Sequence, residues 1–488
     1  MTVWGQSVSE IGGAPAAPPT PFTLGRSLWL PASCEPALRV ACLLRPKAFR
    51  TRYTFAQGKT APVLDVMDRS YLGAGVIGVP RNFRVPLEVL GGRRWTDATS
   101  MGIRPVTYGT TPIALRPNGQ ERVVAEVVRL VRDDGAPGAV IEALPGKGKT
   151  VMLLAILQQL GVPALVLVHS EQLLEQWVRR AGQFFGLAAH AVGVAQQARC
   201  DGGGHGLVIG LTQSVAKDRY GAAWKQSFGA IVFDECDLFP TEVFTTVLGM
   251  FPARYRLAAT ATLERKDGMS RLLDWHVGPV AGSLMQPDVV PDVYVLPNPW
   301  EYNPRRYSWR QGGEAGPVVV GYSKMLQTLA ADGRRNALLL GQVRLAHGKG
   351  RRIVVLTHEK AHANALYAEA QRLLGPTQVG LFTGDVKKQA DLDTALACPV
   401  VIGTYKMLGR GIDVPDLDVM VLATPLSDPA QAVGRVLRYV PGKPTPIVLD
   451  VDDAGMRDVA GDLVLAASLR GRKQWYASIG AGGNWREG

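Results

Sequence analysis

The sequence predicts an α/β protein with two tandem lobes built on parallel sheets, preceded by a small α+β N-terminal domain. Apolar strand-like runs alternate with helical stretches from about residue 113 to 279, and again from about residue 318 to 451. Such alternation is the pattern of βαβ units and of a parallel sheet. Short β-like runs separated by turn signals, between Ser27 and about Tyr108, predict the smaller domain.

Changes in composition along the chain give the expected boundaries. The first residues are rich in Pro, Ala and Gly, a Pro-rich connection separates the two alternating regions, and the last residues are rich in Gly. The predicted segments are a flexible leader (1–22), a basic accessory domain (23–108), a first lobe (109–285), a linker (286–316), a second lobe (317–475) and a flexible tail (476–488).

The composition excludes a disordered or fibrous protein, because 47% of the 488 residues are hydrophobic and can bury sizeable cores. The net charge of +12, from 54 basic and 42 acidic residues, suits a polyanionic partner. Five scattered cysteines without a CxxC pair argue against a zinc or iron–sulfur site and favour a reducing cytoplasm. The longest apolar stretch, residues 151–168, is interrupted by Gln158, Gly161 and Pro163, so we expect no membrane span.

A glycine-rich turn lies between the apolar run Ala139–Ile141 and a helix-like segment, in the context that a phosphate-binding loop requires. Its glycines let successive backbone N–H groups point at phosphate oxygens, the second lysine adds a point charge, and the threonine hydroxyl can bind magnesium. Taken alone, the pattern also fits a glycine turn beside a surface lysine. The predicted nucleotide-binding residues of this turn are Gly146, Lys147, Gly148, Lys149 and Thr150.

An acidic pair, Asp234 and Glu235, ends the apolar run Ala230–Phe233, which reads as a buried parallel strand. Ligands bind at the carboxyl ends of strands in α/β sheets. We therefore expect Asp234 to hold magnesium and Glu235 to orient and deprotonate the attacking water. The alternative for such a pair is a helix N-cap.

Three polar residues near the end of the second lobe complete the predicted catalytic set. Gln431, Arg435 and Arg438 are spaced to share one face of a predicted helix. The two arginines could stabilise the charge that develops on a γ-phosphate. A solvated basic helix face is the alternative.

With these segments the chain resembles superfamily 2 helicases of the DExH type, close to bacteriophage branch-migration helicases and XPB-like DNA helicases. The resemblance covers about residues 110–475 and includes Thr260-Ala-Thr262 and Glu264-Arg-Lys-Asp-Gly268. It implies two RecA-like lobes that use ATP and Mg2+. One departure is Asp237, where these relatives usually carry His in the acidic motif.

The resemblance also implies roles for residues outside the three motifs. Those implied to bind ATP are Arg116 and Gln120 at the adenine, and Gly411 and Asp413 at the ribose and γ-phosphate. Those implied to contact nucleic acid are His169, Gln176, Thr212, Gln213, Arg265, Thr357, Thr383, Gly384 and Thr404.

The accessory domain contains a basic run, residues 45–59, with five basic residues, three aromatics and no acid. Such interleaving permits phosphate contact together with base stacking, and a solvated strand with inward aromatics explains the pattern equally well. The residues expected to bind DNA are Arg45, Lys47, Arg50 and Arg52.

These observations predict an ATP-dependent DNA helicase or translocase that unwinds or remodels forked or branched DNA, encoded by a phage and acting as a monomer in the bacterial host cytoplasm. Single-stranded and forked DNA are the expected partners. An RNA helicase, the motor subunit of a restriction-type translocase and a non-catalytic clamp are the alternatives, and the intact Lys149, Glu235 and Arg435 argue against the clamp.

Overall fold

The computed structural model describes much of the chain in two compact units. Unit 1 comprises the described residues of 23–143 and 148–284, and unit 2 comprises those of 144–147 and 285–487. The described residues are 23–24, 28–34, 43–44, 64–65, 76–81, 96–236, 241–261, 263, 271–386, 389–408, 414, 416–483 and 486–487.

Unit 1 contains a mainly parallel sheet with the strand order β10-β9-β11-β8-β12-β13-β7-β14, and helices pack against it. Its strands are β1 (Thr23–Leu24), β2 (Leu28–Pro31), β3 (Leu43–Leu44), β4 (Leu64–Asp65), β5 (Val76–Val79), β6 (Thr96–Asp97), β7 (Gly138–Ala143), β8 (Ala164–Val168), β9 (Gly193–Gln196), β10 (Arg199–Cys200), β11 (Leu207–Leu211), β12 (Ala230–Asp234), β13 (Tyr255–Thr260) and β14 (Val280–Leu284). Its helices are α1 (Gln120–Val128, continued by a π-helical turn over Arg129–Asp133), α2 (Lys149–Leu160), α3 (Glu171–Phe185), α4 (Thr212–Val215), α5 (Ala222–Gln226), α6 (Thr241–Met250) and α7 (Arg271–His276).

The central strands of this sheet are buried on both faces, which is why β8, β12 and β13 read as continuous apolar runs. Strand β13 lies between β12 and β7 in the sheet. The phosphate loop therefore leaves the sheet at β7, and the acidic pair leaves it two strands away at the end of β12.

The described part of the N-terminal domain contains a sheet with the order β5-β2-β1-β6. Leu30 and Ile77 fill its interior. The buried Arg81 donates hydrogen bonds to the carbonyls of Ala253 and Arg254, so this domain packs on the first lobe within unit 1.

Unit 2 contains a second parallel sheet, with the order β19-β20-β18-β21-β22-β15-β23, and a separate hairpin of β16 and β17. Its strands are β15 (Asp292–Pro297), β16 (Ser308–Arg310), β17 (Val318–Val320), β18 (Ile353–Thr357), β19 (Val379–Phe382), β20 (Val400–Thr404), β21 (Val419–Leu422), β22 (Ile447–Asp452) and β23 (Arg486–Glu487). Its helices are α8 (Tyr322–Ala330), α9 (Gly333–Gly348), α10 (Lys360–Leu374), α11 (Gln389–Ala397), α12 (Tyr405–Leu408), α13 (Ala430–Val433) and α14 (Ala466–Ser478).

Two segments differ from the boundaries that the sequence predicts. The expected linker, 286–316, contains β15, which pairs with β22 and buries Val293 and Leu296. Its prolines flank this strand or end it, and so do not interrupt the pairing. The expected flexible tail is also packed where it is described, because Tyr476 and Ile479 are buried and β23 pairs with β15. None of the helices in the described ranges is long and apolar enough to cross a lipid bilayer.

Candidate functional site

The second half of the phosphate loop positions Lys149 and Thr150 at the start of α2. Gly148 precedes the helix with φ 79°, and a Cβ atom at this position would lie 2.5 Å from Nε2 of Gln120. The Nζ atom of Lys149 donates a 2.9 Å hydrogen bond to the carbonyl of Ala143, at the end of β7. The lysine is thus held within its own loop, where an incoming phosphate can compete with a neutral carbonyl for the ammonium group.

Thr150 and the acidic motif meet inside unit 1. The Thr150 hydroxyl donates to Oδ2 of Asp234 over 3.2 Å, and the indole Nε1 of Trp177 donates to the same oxygen over 2.9 Å. A hydroxyl and a carboxylate oxygen suit Mg2+, which in proteins takes few side-chain ligands and keeps waters or phosphate oxygens around it. The residues therefore fit the expected metal, although the described chain has no group of three or more His, Cys, Asp or Glu that could hold one.

Burial controls the ionisation of Asp234. Desolvation, together with the nearby Glu235 carboxylate, raises the pKa of Asp234 to about 6. Lys149, Trp177 and Thr150 act in the opposite direction and lower this pKa, the first by its charge and the other two by hydrogen bonds. The carboxylate is thus ionised at neutral pH while being close to its protonation range.

The Glu235 backbone adopts a left-handed conformation, with φ 54°. Its N–H donates a 3.1 Å hydrogen bond to Oδ1 of Asp234, and its side chain is partly exposed. A non-glycine residue in this region is strained, and such strain concentrates at functional sites. The turn separates the two carboxylates, leaving Asp234 inside and Glu235 towards solvent.

The residues implied to contact adenine lie at the start of α1. Gln120 is buried, and its Oε1 accepts a 2.9 Å hydrogen bond from the backbone N–H of Arg116. The Arg116 side chain is exposed. Because its amide also lies against Gly148, Gln120 links this segment to the phosphate loop.

The first half of the loop, Leu144–Lys147, belongs to unit 2. Gly146 has φ 86°, and a Cβ atom there would lie 3.0 Å from Cγ of Arg438. Lys147 is buried and forms a 2.5 Å ion pair with Asp288. Its ammonium group is engaged by this carboxylate, so the predicted nucleotide contact of Lys147 could come only from its backbone in this arrangement.

The predicted helix carrying Gln431, Arg435 and Arg438 is wrong beyond its first turn. Helix α13 ends at Val433, and the N–H of Arg435 bonds three residues back instead of four. Two carbonyls that a longer helix would use, those of Val436 and Arg438, accept hydrogen bonds from Nζ of Lys443 over 2.8 and 3.0 Å. Gln431 thus lies on the helix, whereas both arginines follow it in turn and loop structure.

The unit 1 residues implied to contact nucleic acid follow strands β8 and β11. His169 and Gln176 are partly buried, and Gln213 is exposed. Thr212 is buried, and its hydroxyl donates to the carbonyl of Val168. In this structure only Gln213 presents a largely open side chain among these four residues.

The corresponding unit 2 residues end or follow strands β18, β19 and β20. Thr357, Thr383 and Thr404 are buried, and the Thr357 hydroxyl is hydrogen-bonded to Nδ1 of His362 over 2.8 Å. Gly384 is partly exposed beside Lys360, whose ammonium group pairs with Asp385. Contact of the threonine hydroxyls with a strand requires rearrangement, so their role stays a prediction.

Comparisons with known proteins agree with the motifs. A family model described as "Type III restriction enzyme, res subunit" matches residues 113–265. A putative ATP-dependent RNA helicase of Acanthamoeba polyphaga mimivirus is 27% identical over 360 residues, which are 72% of this chain and 66% of that protein. A probable helicase of Escherichia phage T5 is 22% identical over 337 residues, 67% of this chain and 71% of that protein.

This chain is a relative of the superfamily 2 helicases. The fold agrees: S. cerevisiae Dbp5 bound to RNA and ADP BeF3 aligns with a TM-score of 0.50 at 15% identity, over 75% of this chain and 92% of that one. The predicted fold class, two RecA-like lobes with parallel sheets, is confirmed.

Several residues that the sequence analysis singled out lie outside the described residues. They are Arg45, Lys47, Arg50 and Arg52 of the basic run, Asp237, Thr262, Arg265, Gly411 and Asp413. Two residues that the motifs did not assign to the nucleotide site do contact its members. Trp177 contacts Asp234, and its only sequence signal is that it belongs to a Gln-Trp pair that resembles a motif contacting nucleic acid. Lys443 contacts the carbonyl of Arg438, and its only sequence signal is that it follows Pro441 and Gly442.

Proposed function

We propose that this helicase relative is an ATP-dependent DNA helicase or translocase that unwinds or remodels forked or branched DNA. The observation that carries the proposal is the meeting of the Thr150 hydroxyl, the Asp234 carboxylate and the loop lysine Lys149 inside one unit. This is the arrangement that phosphoryl transfer needs, because the reaction depends on positioning and on neutralising charge.

Each residue then has a defined task. Lys149 leaves the Ala143 carbonyl and binds the terminal phosphates, while Thr150 and Asp234 hold magnesium. The bound ion supplies charge neutralisation and orients the phosphate oxygens. Glu235, on its strained turn, orients the attacking water and accepts its proton. Arg435 and Arg438 stabilise the charge on the γ-phosphate, with Lys443 supporting the backbone of their loop.

DNA is favoured as the partner, with RNA kept as the alternative. The net charge of +12 supports a polyanion without distinguishing the two, and backbone contacts carry little base information. The names of the relatives point both ways, to a putative ATP-dependent RNA helicase in mimivirus and to a DNA 3'-5' translocase in Sulfurisphaera tokodaii. The restriction-type motor is supported by the description of the family model. A phage-encoded protein acting as a monomer in the host cytoplasm is the setting we propose.

The basic run at residues 45–59 is proposed to grip duplex or branched DNA through Arg45, Lys47, Arg50 and Arg52. Changing these four residues to Ala should reduce affinity for forked DNA and flatten the dependence of binding on salt, because fewer counterions are released. Single-strand-stimulated ATPase should persist. If the variant and the intact protein bind forked DNA with equal affinity and equal dependence on salt, the residues that recognise the fork lie elsewhere in the chain.

The central test is an ATPase assay with a panel of single-stranded, forked, branched and duplex DNA and the matching RNAs. We expect low basal hydrolysis that rises sharply with forked or single-stranded DNA and stops when magnesium is chelated. Lys149→Ala should abolish the stimulated rate. Stimulation of the ATPase by RNA alone would favour an RNA helicase. An ATPase rate that no nucleic acid changes would rule out a nucleic-acid motor.

A further inference from the structure

We infer that the β16–β17 hairpin of unit 2 is a stacking platform for a single nucleic-acid strand, beyond the loops that the helicase motifs mark. The hairpin surface, as we call it, consists of Arg305, Arg306, Trp309, Arg310 and Lys324. The inference rests on the proposed function and deepens it, because it names a further place where the same strand binds.

The inner side of the hairpin is fixed to the second lobe. Tyr307 and Val320 are buried in a small apolar cluster with Met456 and Leu465. The Tyr307 hydroxyl donates to the carbonyl of Arg457 over 2.7 Å, and Oγ of Ser308 accepts from the N–H of Val459 over 3.0 Å. The hairpin is thus a rigid feature of the lobe, on which an outward side chain is held in place.

Trp309 is that outward side chain. It lies between the buried Ser308 and the exposed Arg310, pairs with Val319 across the hairpin, and is 44% exposed. Nζ of Lys324 lies over its ring, 5.3 Å from the centroid. A half-exposed indole with a cation at its ring is suited to stacking against a nucleobase, whose phosphate the cation can then reach.

Three further cations lie within four residues of Trp309 in the chain, in addition to Lys324. Arg305, Arg306, Arg310 and Lys324 are all exposed, and none of them forms an ion pair with another described residue. Residues 301–324 contain four basic and two acidic residues, so this segment has a net positive charge. Helix α8 begins beside the ring with Gly321 as its N-cap, which offers no side chain to its first N–H groups. Such an end adds a further preference for phosphate.

The hairpin surface continues into the loop after β18. The Tyr322 ring lies edge-on to His358, with centroids 6.3 Å apart, and the Ser323 hydroxyl lies 3.5 Å from Oε1 of Glu359. His358 directly follows Thr357, one of the residues implied to contact nucleic acid. A single nucleic-acid strand that passes this loop therefore reaches the start of α8 and then Trp309, without crossing to another part of unit 2.

The chemistry selects a flexible single strand as the occupant. In a duplex the base faces are covered by neighbouring pairs, whereas an unpaired base can turn its face to an indole. Stacking and phosphate contact of this kind carry little sequence preference. A docked protein segment is the competing occupant, and the test below separates the two.

The experiment uses the full-length protein and single-stranded oligonucleotides carrying 5-iodouracil at successive positions. Irradiation should crosslink the oligonucleotide to Trp309 only when 5-iodouracil occupies one of a few positions in the strand. Peptide mass spectrometry identifies the crosslinked residue. Trp309→Ala should weaken strand binding about tenfold, as expected for the loss of one stacked base, and Trp309→Tyr should retain most of the affinity. Arg305→Ala combined with Arg306→Ala should reduce the salt slope of binding.

A matched control removes two exposed cations elsewhere on unit 2, Arg344→Ala with Lys349→Ala, and should leave crosslinking and affinity unchanged. If the wild-type protein is stimulated by DNA while Trp309→Ala binds normally and no crosslink maps to the hairpin, the platform is refuted and a protein occupant is favoured. A wild-type protein that no nucleic acid stimulates overturns the proposed function, and the platform with it.

Discussion

The indole N–H of Trp177 donates a 2.9 Å hydrogen bond to Oδ2 of Asp234, and both side chains are buried in unit 1. A carboxylate accepts this bond better when it is ionised, so the indole stabilises the charged form that burial disfavours. Helix α3, which carries Trp177, is capped by Ser170, whose side chain accepts a hydrogen bond from the N–H of Leu173. We therefore expect Trp177 to act as a positioning residue, because it orients and helps to ionise the carboxylate that is proposed to hold magnesium.

The first prediction follows from the pKa of Asp234, which burial raises to about 6. Magnesium binds the ionised carboxylate, so the half-saturating Mg2+ concentration for ATPase should rise as the pH falls below about 6 and level off above it. In Trp177→Phe the stabilising N–H is lost, which should move this transition upward by about 0.5–1 pH unit, because the N–H binds the ionised carboxylate more strongly than the protonated acid by about 1 kcal/mol. The measurement is the magnesium dependence of hydrolysis between pH 5 and 8.

Trp224→Phe is the matched control, because Trp224 also donates through Nε1 in unit 1, to the backbone carbonyl of Asp201 over 2.9 Å. It should lower stability without moving the pH transition. An unchanged transition in Trp177→Phe, with activity reduced equally at every pH, would assign Trp177 a packing role alone.

The second prediction separates binding from turnover at the acidic pair. Glu235→Gln should leave ATP affinity nearly intact and reduce turnover by at least 100-fold, because it removes the base without disturbing Lys149 or Asp234. Lys149→Ala should weaken ATP binding as well, since the terminal phosphates lose their point charge. Equilibrium binding of a fluorescent ATP analogue, with single-turnover hydrolysis, distinguishes the two variants. Near-normal hydrolysis by Glu235→Gln would reject the acidic-pair assignment.

The third prediction concerns the strain at Glu235, whose φ is 54°. This conformation costs an L-residue with a Cβ atom about 1–2 kcal/mol of conformational free energy, and it costs glycine almost nothing. Glu235→Gly should therefore be about 1 kcal/mol more stable than Glu235→Ala in chemical denaturation, although both lose turnover. Equal stability of the two variants would show that the turn relaxes when the carboxylate is removed.

The phosphate loop and the acidic pair could be located from the sequence because each is a local pattern. A buried strand followed by a glycine turn and Lys149, or ended by Asp234, is visible within a short window. The bond between Trp177 and Asp234 joins residues 57 positions apart and depends on how helix α3 packs on the sheet. No spacing rule predicts it.

The errors also have physical causes. The helix expected around Arg435 ends at Val433, and it does not resume because Lys443 binds the carbonyls of Val436 and Arg438 and Pro441 has no N–H for the carbonyl of Leu437. The linker prediction relied on prolines, but the strand Asp292–Pro297 tolerates Pro297 at its end and is paired by the distant β22. In the linker a long-range strand pairing decided the structure, and near Arg435 a lysine five to seven residues beyond the carbonyls that it binds did.

The fourth prediction concerns the ion pair of Arg335 and Asp453, both fully buried in unit 2. Two guanidinium nitrogens of Arg335 donate to the two oxygens of Asp453, over 3.0 and 2.8 Å, and a third donates to the carbonyl of Ala423. Removing one partner leaves an uncompensated buried charge. Asp453→Ala should therefore lower the free energy of unfolding by about 3–5 kcal/mol.

The adjacent arginine provides the control for this pair. Arg334 is 59% exposed and pairs with Asp332, whose side chain is 8% exposed, so solvent screens part of this pair and Arg334→Ala should lower the unfolding midpoint only slightly. The double variant Arg335→Met with Asp453→Leu should recover much of the loss, because it removes both charges and keeps apolar volume. Urea unfolding followed by circular dichroism measures all of these variants. If Asp453→Ala were no more destabilising than Arg334→Ala, water would have to reach Arg335, and the core around β22 would be more open than the packing of Leu449 and Val451 indicates.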